Sequence, residues 1–254
     1  MTKHSIYKTL YILFFSSLFL VTSIDNLQAQ RRRHSRDQII KAYPSIGITS
    51  SQIRGDELKG FKKWGFTAGV GALVNLTDNE MWQMSLEADF SERGAFNNTG
   101  DPYSLINFTL HYVDIPLTFH FTDPWGGLKI GAGLVYSRLV QQPHGSIRYS
   151  PSYFVPDTSD MSFLHNDLCA AIDLRFPIWK GLTFNIRYQH SLFPVKRDWW
   201  FTEHLSAVEG DVSRWSNNCY NSSVMVRLQY VFGEDSGHKK NNSSSRSHKT
   251  KKRR

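Results

Sequence analysis

From residue 44 to residue 232 the chain alternates apolar and polar residues with a period of two, the signature of strands with one apolar face. Eight segments follow this rule: 44–50, 64–76, 81–90, 105–121, 128–140, 164–178, 182–192 and 220–232. In 81–90, Trp82, Met84, Leu86, Ala88 and Phe90 oppose Gln83, Ser85, Glu87 and Asp89. In 182–192, Phe184, Ile186 and Tyr188 oppose Thr183, Asn185, Arg187 and Gln189. Helical periodicity is nearly absent. The connections alternate in length: 51–63, 91–104, 141–163 and 193–219 are long, and 77–80, 122–127 and 179–181 are short. Short turns on one side and long loops on the other predict an all-β fold, an eight-stranded antiparallel up-and-down transmembrane β-barrel. An even strand count puts both termini on the short-turn side.

The segment 105–121 breaks its own pattern. Ile106, Phe108, Leu110 and Tyr112 share one parity, and Val113, Ile115, Leu117, Phe119 and Phe121 the other. One extra residue near Tyr112 and Val113 would bring both sets to one face, so a β-bulge is expected there. Pro116, which donates no ladder hydrogen bond, sits just beyond it.

Period alone does not say which face is outside, and a soluble lipocalin-like carrier of small ligands has the same alternation with its apolar face inward. Lipid on the outside is favoured by three features. The apolar face is rich in Trp, Phe, Met and Leu, too bulky a set for the interior of eight strands. Gly69, Gly71, Gly131 and Gly133 fall on the opposite, crowded face. Trp64, Trp82, Trp125, Trp179, Tyr230 and Phe232 gather toward strand ends, as interfacial girdles do. The lumen then holds a charged cluster of Glu87, Asp89, Asp114, Asp167 and Asp173 against Lys129, Arg175, Arg187 and Arg227. Acids and bases nearly balance, which favours a salt-bridged plug over a conducting channel.

The ends differ from the body. Lys3, His4 and Lys8 precede an apolar run from Leu10 to Val21, and Ala29 follows, so 1–29 reads as a secretory signal peptide. Its apolar run is too short for a spanning helix. The net charge of +8 is carried by a basic segment at 30–43, worth +4, and a basic tail at 233–254, worth +6; the barrel segment 44–232 is at −3. The tail's Asn, Ser, Lys and Arg cannot bury a core. Export makes nucleic acid an unsuitable partner, and an anionic periplasmic surface the better one for both tails. The implied address is the cell outer membrane, with outer-membrane lipid as the surrounding partner.

Candidate chemistry is sparse. Cys169 and Cys219 share the inward parity and form a candidate disulfide, which requires Cα atoms within about 7 Å. No motif suggests a metal or cofactor. His111, His120 and His165 read as lumen hydrogen-bonding residues. The nearest hydrolase set, Ser191, His190 and Glu203, is badly placed, because adjacent residues of a strand face opposite ways. A lipid-modifying hydrolase is therefore the minor alternative, and a non-enzymatic scaffold or interaction protein the leading reading. Its contact residues would be loop aromatics: Tyr149, Tyr153 and Phe154 in one loop, Trp199, Trp200, Phe201 and Trp215 in another.

The run Tyr112-Val113-Asp114-Ile115-Pro116-Leu117, followed by the glycine-rich Gly127-Leu128-Lys129-Ile130-Gly131-Ala132-Gly133, resembles PorT-like outer-membrane β-barrels, a family common in Bacteroidota. Gly47 to Gln52 and Gly60 to Gly69 are similar as well. The resemblance covers roughly residues 45–232 and leaves out both tails. It implies the barrel fold, and it implies envelope or secretion proteins as partners through the long outer loops. That last step is analogy by fold.

Overall fold

The computed structural model describes residues 40–56, 60–77, 79–98, 105–148, 154–156, 162–204 and 212–233. The signal segment, most of the basic N-terminal segment, the C-terminal tail after 233, and Tyr149 and Tyr153 lie outside the described residues. Among the described residues ten strands occur in the order β1 (Ile40–Arg54), β2 (Lys63–Asn75), β3 (Trp82–Asn98), β4 (Leu105–Thr122), β5 (Lys129–Arg148), β6 (Phe154–Pro156), β7 (Asn166–Trp179), β8 (Leu182–Ser191), β9 (Lys196–His204) and β10 (Val212–Tyr230).

Eight of these close on themselves. The ladder runs β1-β2-β3-β4-β5-β7-β8-β10 and returns to β1, antiparallel at every step. The register fixes the shape. From Lys129 on β5, partners lead through Arg175, Asn185, Arg227, Gly47, Thr67, Ser91 and Tyr112 back to Leu139, ten residues further along β5. Eight strands with that offset, at the usual rise and spacing, tilt by about 41° and enclose a barrel of about 8 Å backbone radius. Side chains from opposite walls therefore meet at the axis. The β7–β8 turn has only Lys180 and Gly181, both at positive φ, which matches the right-handed twist of a tight hairpin.

The short turns 77–80, 122–127 and 179–181 lie at one end, as the alternation in length implies. At the other end much of what reads as loop is strand. β3 runs to Asn98, β5 to Arg148, and within the expected last loop β9 and the upper half of β10 are strand. β1 starts at Ile40, four residues before the expected boundary. β6 adds to β9, making a small sheet with the top of β10.

The bulge expected near Tyr112 and Val113 is not on the fourth strand itself. β3–β4 pairing is regular throughout, and Phe108, Leu110, Tyr112, Asp114, Thr118 and His120 all point inward. The irregularity lies across the ladder, where Thr109, His111 and Tyr112 pair with His144, Gln141 and Leu139 and the extra residues belong to β5. The parity change in the sequence marks a different boundary. Below Tyr112 the inward residues are polar and the outward ones apolar; from Tyr112 upward the inward residues are apolar.

Candidate functional site

Above a small apolar cluster of Tyr43, Leu73 and Val231 at the short-turn end, three layers fill the described lumen. The central layer is an ion network of three arginines and three carboxylates. Glu87 on β3 accepts from Arg175 Nη2 at 2.8 Å, Arg187 Nη2 at 2.6 Å, Arg227 Nη1 at 3.0 Å and the Tyr43 hydroxyl at 2.8 Å. Asp173 accepts from Arg175 Nε and Arg187 Nε, both at 2.8 Å, and has His120 Nε2 3.0 Å away. Asp89 accepts from Arg227 Nη1 at 2.7 Å and Arg187 Nη1 at 3.4 Å. All six side chains are buried. Each charge thus has opposite charges on more than one side, which is what a low-dielectric interior requires. Glycine makes room for it: a Cβ on Gly71 would stand 2.5 Å from the Tyr43 ring, and one on Gly131 would run into His120.

Above this lies a second polar layer. Arg93 donates to Asp114 and lies over the Tyr112 ring, 4.8 Å from its centroid. Ser91 donates to Asp114 at 2.7 Å. Ser191 and the Asn221 amide donate to Asp167 at 2.7 and 3.1 Å, and Asn221 also reaches the Tyr112 hydroxyl at 3.0 Å.

The third layer closes the long-loop end. Ile53, Phe108, Leu110, Leu139, Phe163, Val195, Trp199, Phe201 and Cys219 form one buried apolar cluster. Trp199 packs edge-on against Phe108 and Phe163 at 6.3 and 6.2 Å, and tilted against Phe201 at 5.3 Å. β9 supplies Trp199 and Phe201, which its pairing with β10 turns inward while Trp200 stays exposed.

All nine charged residues assigned to the lumen from the sequence are buried there, Lys129 included. Arg93, Tyr43 and Tyr112 were missed. Arg93 continues the inward parity of Glu87 and Asp89, but the Gly-, Asn- and Asp-rich stretch that follows it reads as loop. His111 and His165 are not lumen residues. His111 pairs outside the wall with Glu92 at 3.3 Å, and His165 is exposed.

The candidate disulfide is not formed. Cys169 and Cys219 are free and buried. Cys169 lies opposite Ser191 at the polar layer, where it donates to Asp167 at 3.4 Å; Cys219 pairs with Lys196 above the end of β8, in the apolar cap. Shared parity did not bring shared height. The loop aromatics divide too. Trp199 and Phe201 are core residues, Trp215 packs partly against them, and Trp200 is exposed beside Arg214 at 5.9 Å. Phe154 belongs to β6.

The hydrolase set is not assembled. Ser191 Oγ is bound to Asp167 inside, whereas His190 Nδ1 lies 2.7 Å from Ser222 Oγ on the outer side. Ser222 is fully buried, so that pair offers no accessible nucleophile.

The outer face is apolar and exposed: Ile46, Val70, Leu86, Ile115, Leu134, Ile172 and Leu228 each leave roughly half their surface uncovered. Trp82, Trp125 and Trp179 ring it near the short turns. An apolar belt outside a closed ladder, around a charged interior, defines a transmembrane β-barrel of the kind found in outer membranes.

No family model matches the chain, and no curated protein matches it. Solved structures similar to it are small outer-membrane proteins. The attachment invasion locus protein Ail of Yersinia pestis is 14% identical, with 77% of this chain and 100% of Ail covered at a TM-score of 0.38. Neisserial surface protein A is 12% identical, with 74% and 96% covered at 0.40. OprG of Pseudomonas aeruginosa is 14% identical, with 76% and 94% covered at 0.35. The class assignment rests on the chain's own ladder and belt.

Proposed function

We propose that this protein is a non-conducting, non-enzymatic barrel of the outer membrane that holds a rigid β-structure above the membrane for a protein partner. One observation carries the reading: the strands overshoot the membrane. β3, β4, β5 and β10 have 17, 18, 20 and 19 residues, against the 9–11 that suffice to cross a bilayer. Their surplus does not fray. It is laddered, and its Ala95, Phe108, Leu110 and Leu139 belong to the apolar cap, which also stoppers the lumen over its ion network. A channel would need neither, whereas a display scaffold needs both rigidity and height. Exposed Trp200 and Arg214 on the β9–β10 hairpin give the partner an aromatic and cationic surface. The PorT-like resemblance of residues 112–117 points the same reading toward secretion or envelope maintenance.

The test is photo-crosslinking in cells from a reactive residue placed at Trp200, with the same residue at Trp125 on the opposite side as control. A discrete adduct from position 200 alone supports the proposal, particularly if Arg214→Glu removes it. No adduct, together with unitary conductance steps from the purified barrel in planar bilayers, would replace the scaffold with a pore.

A further inference from the structure

The outer wall carries a cleft unrelated to the lumen. The regular β5–β7 ladder ends at Arg138 and Asn166, and just above it the Leu139 N–H still donates to the His165 carbonyl at 2.7 Å. A cleft at this ladder end holds about 420 Å³ and is lined by Arg138, Leu164, His165 and Asn166, all exposed. Asn166 Oδ1 accepts from Arg138 Nη1 at 2.5 Å and from the Tyr136 hydroxyl at 2.9 Å, which holds the guanidinium at the cleft. The lining carries two basic groups and no carboxylate. A guanidinium has five N–H donors in a fork that matches phosphate, and the Asn166 contact involves one of them.

Height identifies the occupant. Ile130 is the first exposed apolar residue of β5, and Arg138 lies eight residues beyond it. At the usual rise and the tilt derived above, that is about 20 Å along the membrane normal, near the upper limit of an apolar band about 25 Å tall. Tyr136 lies on the same outer face just below, and Leu164 and Val140 are exposed beside the cleft. A cationic cleft with exposed apolar neighbours, at headgroup level, fits a molecule with both an anionic head and acyl chains.

We propose that the Arg138 cleft binds the phosphorylated headgroup of a lipid in the outer leaflet. The proposal rests on the transmembrane reading but not on the partner reading. The phosphate sits against Arg138 and His165, and the acyl chains lie along Tyr136, Leu134 and Ile172.

The experiment is native mass spectrometry of the full-length barrel reconstituted in mixed micelles with a monophosphorylated lipid A or, separately, with a neutral glycolipid of matched chain length. Wild-type protein is expected to retain one phosphorylated lipid, and Arg138→Gln with His165→Gln to lose at least tenfold of that occupancy. Arg214→Gln, on the hairpin, is expected to leave it unchanged. The mobility shift between unboiled and boiled samples on SDS gels checks that each variant remains a closed barrel, and failure of that check in wild-type protein would strike the transmembrane reading itself. Equal retention by wild type and double variant, or equal retention of neutral and phosphorylated lipid, overturns the proposal. Competition by millimolar inorganic phosphate with no lipid retained would assign the cleft to free phosphate and overturn it as well.

Discussion

Glu87 is the acceptor on which the lumen network converges, and Glu87→Gln tests whether that network is a dry plug. The substitution keeps shape and leaves no cavity, so its effect isolates charge. In the native barrel three guanidiniums face three carboxylates, and Glu87 contacts all three arginines within 3.0 Å. Neutralising it leaves Arg175, Arg187 and Arg227 with Asp89 and Asp173 alone, one positive charge in excess and enclosed. Removing one partner from a buried ion pair costs about 3–5 kcal/mol. Because glutamine still accepts one hydrogen bond, we expect the lower end, about 3 kcal/mol. Urea unfolding in phospholipid vesicles, followed by tryptophan fluorescence, reads it as a lower midpoint at unchanged slope. Pairing Glu87→Gln with Arg227→Gln restores the balance, and the double variant should be more stable than the sum of the two single effects by about 1–3 kcal/mol. A single effect under about 0.5 kcal/mol with an additive double variant would refute the reasoning. It would mean that water screens these charges and the lumen is hydrated.

Gly71→Val forces Tyr43 out of its place and should destabilise by about 1–3 kcal/mol, partly relieved by Tyr43→Ser, on the same unfolding assay. Trp199→Ala removes a central ring of the apolar cap at a cost of about 3–5 kcal/mol; the gel shift should persist while external protease begins to cut between residues 196 and 219. Thiol titration of unreduced protein should count two free cysteines after denaturation and none before it, since both are buried; a count of zero after denaturation would establish the disulfide that the structure lacks.

The walls of the barrel were more legible than its top. Within the belt each strand meets lipid on one face and the charged lumen on the other, so parity alone places Asp173, Arg175, Arg187 and Arg227. Above the belt that contrast disappears. Both faces of β9 and upper β10 mix aromatic and polar residues, as in Trp199, Trp200 and Phe201, and no alternation marks them as strands. Arg93 was lost for a related reason, since its neighbours have the composition of a turn while the backbone stays extended.

By itself the sequence determined the period, the number of strands in the barrel wall and the polarity of the two faces. These follow from local physics, because a strand alternates whatever it pairs with and solvent on each face selects its residues. Only the tertiary structure decided height. The ten-residue offset around the barrel sets which inward residues share a level. That offset put Glu87 among three arginines, separated Cys169 from Cys219, assigned the β4 irregularity to β5, and left Arg138 at the edge of the belt. It is a sum over eight pairings, and no single segment of the chain contains it.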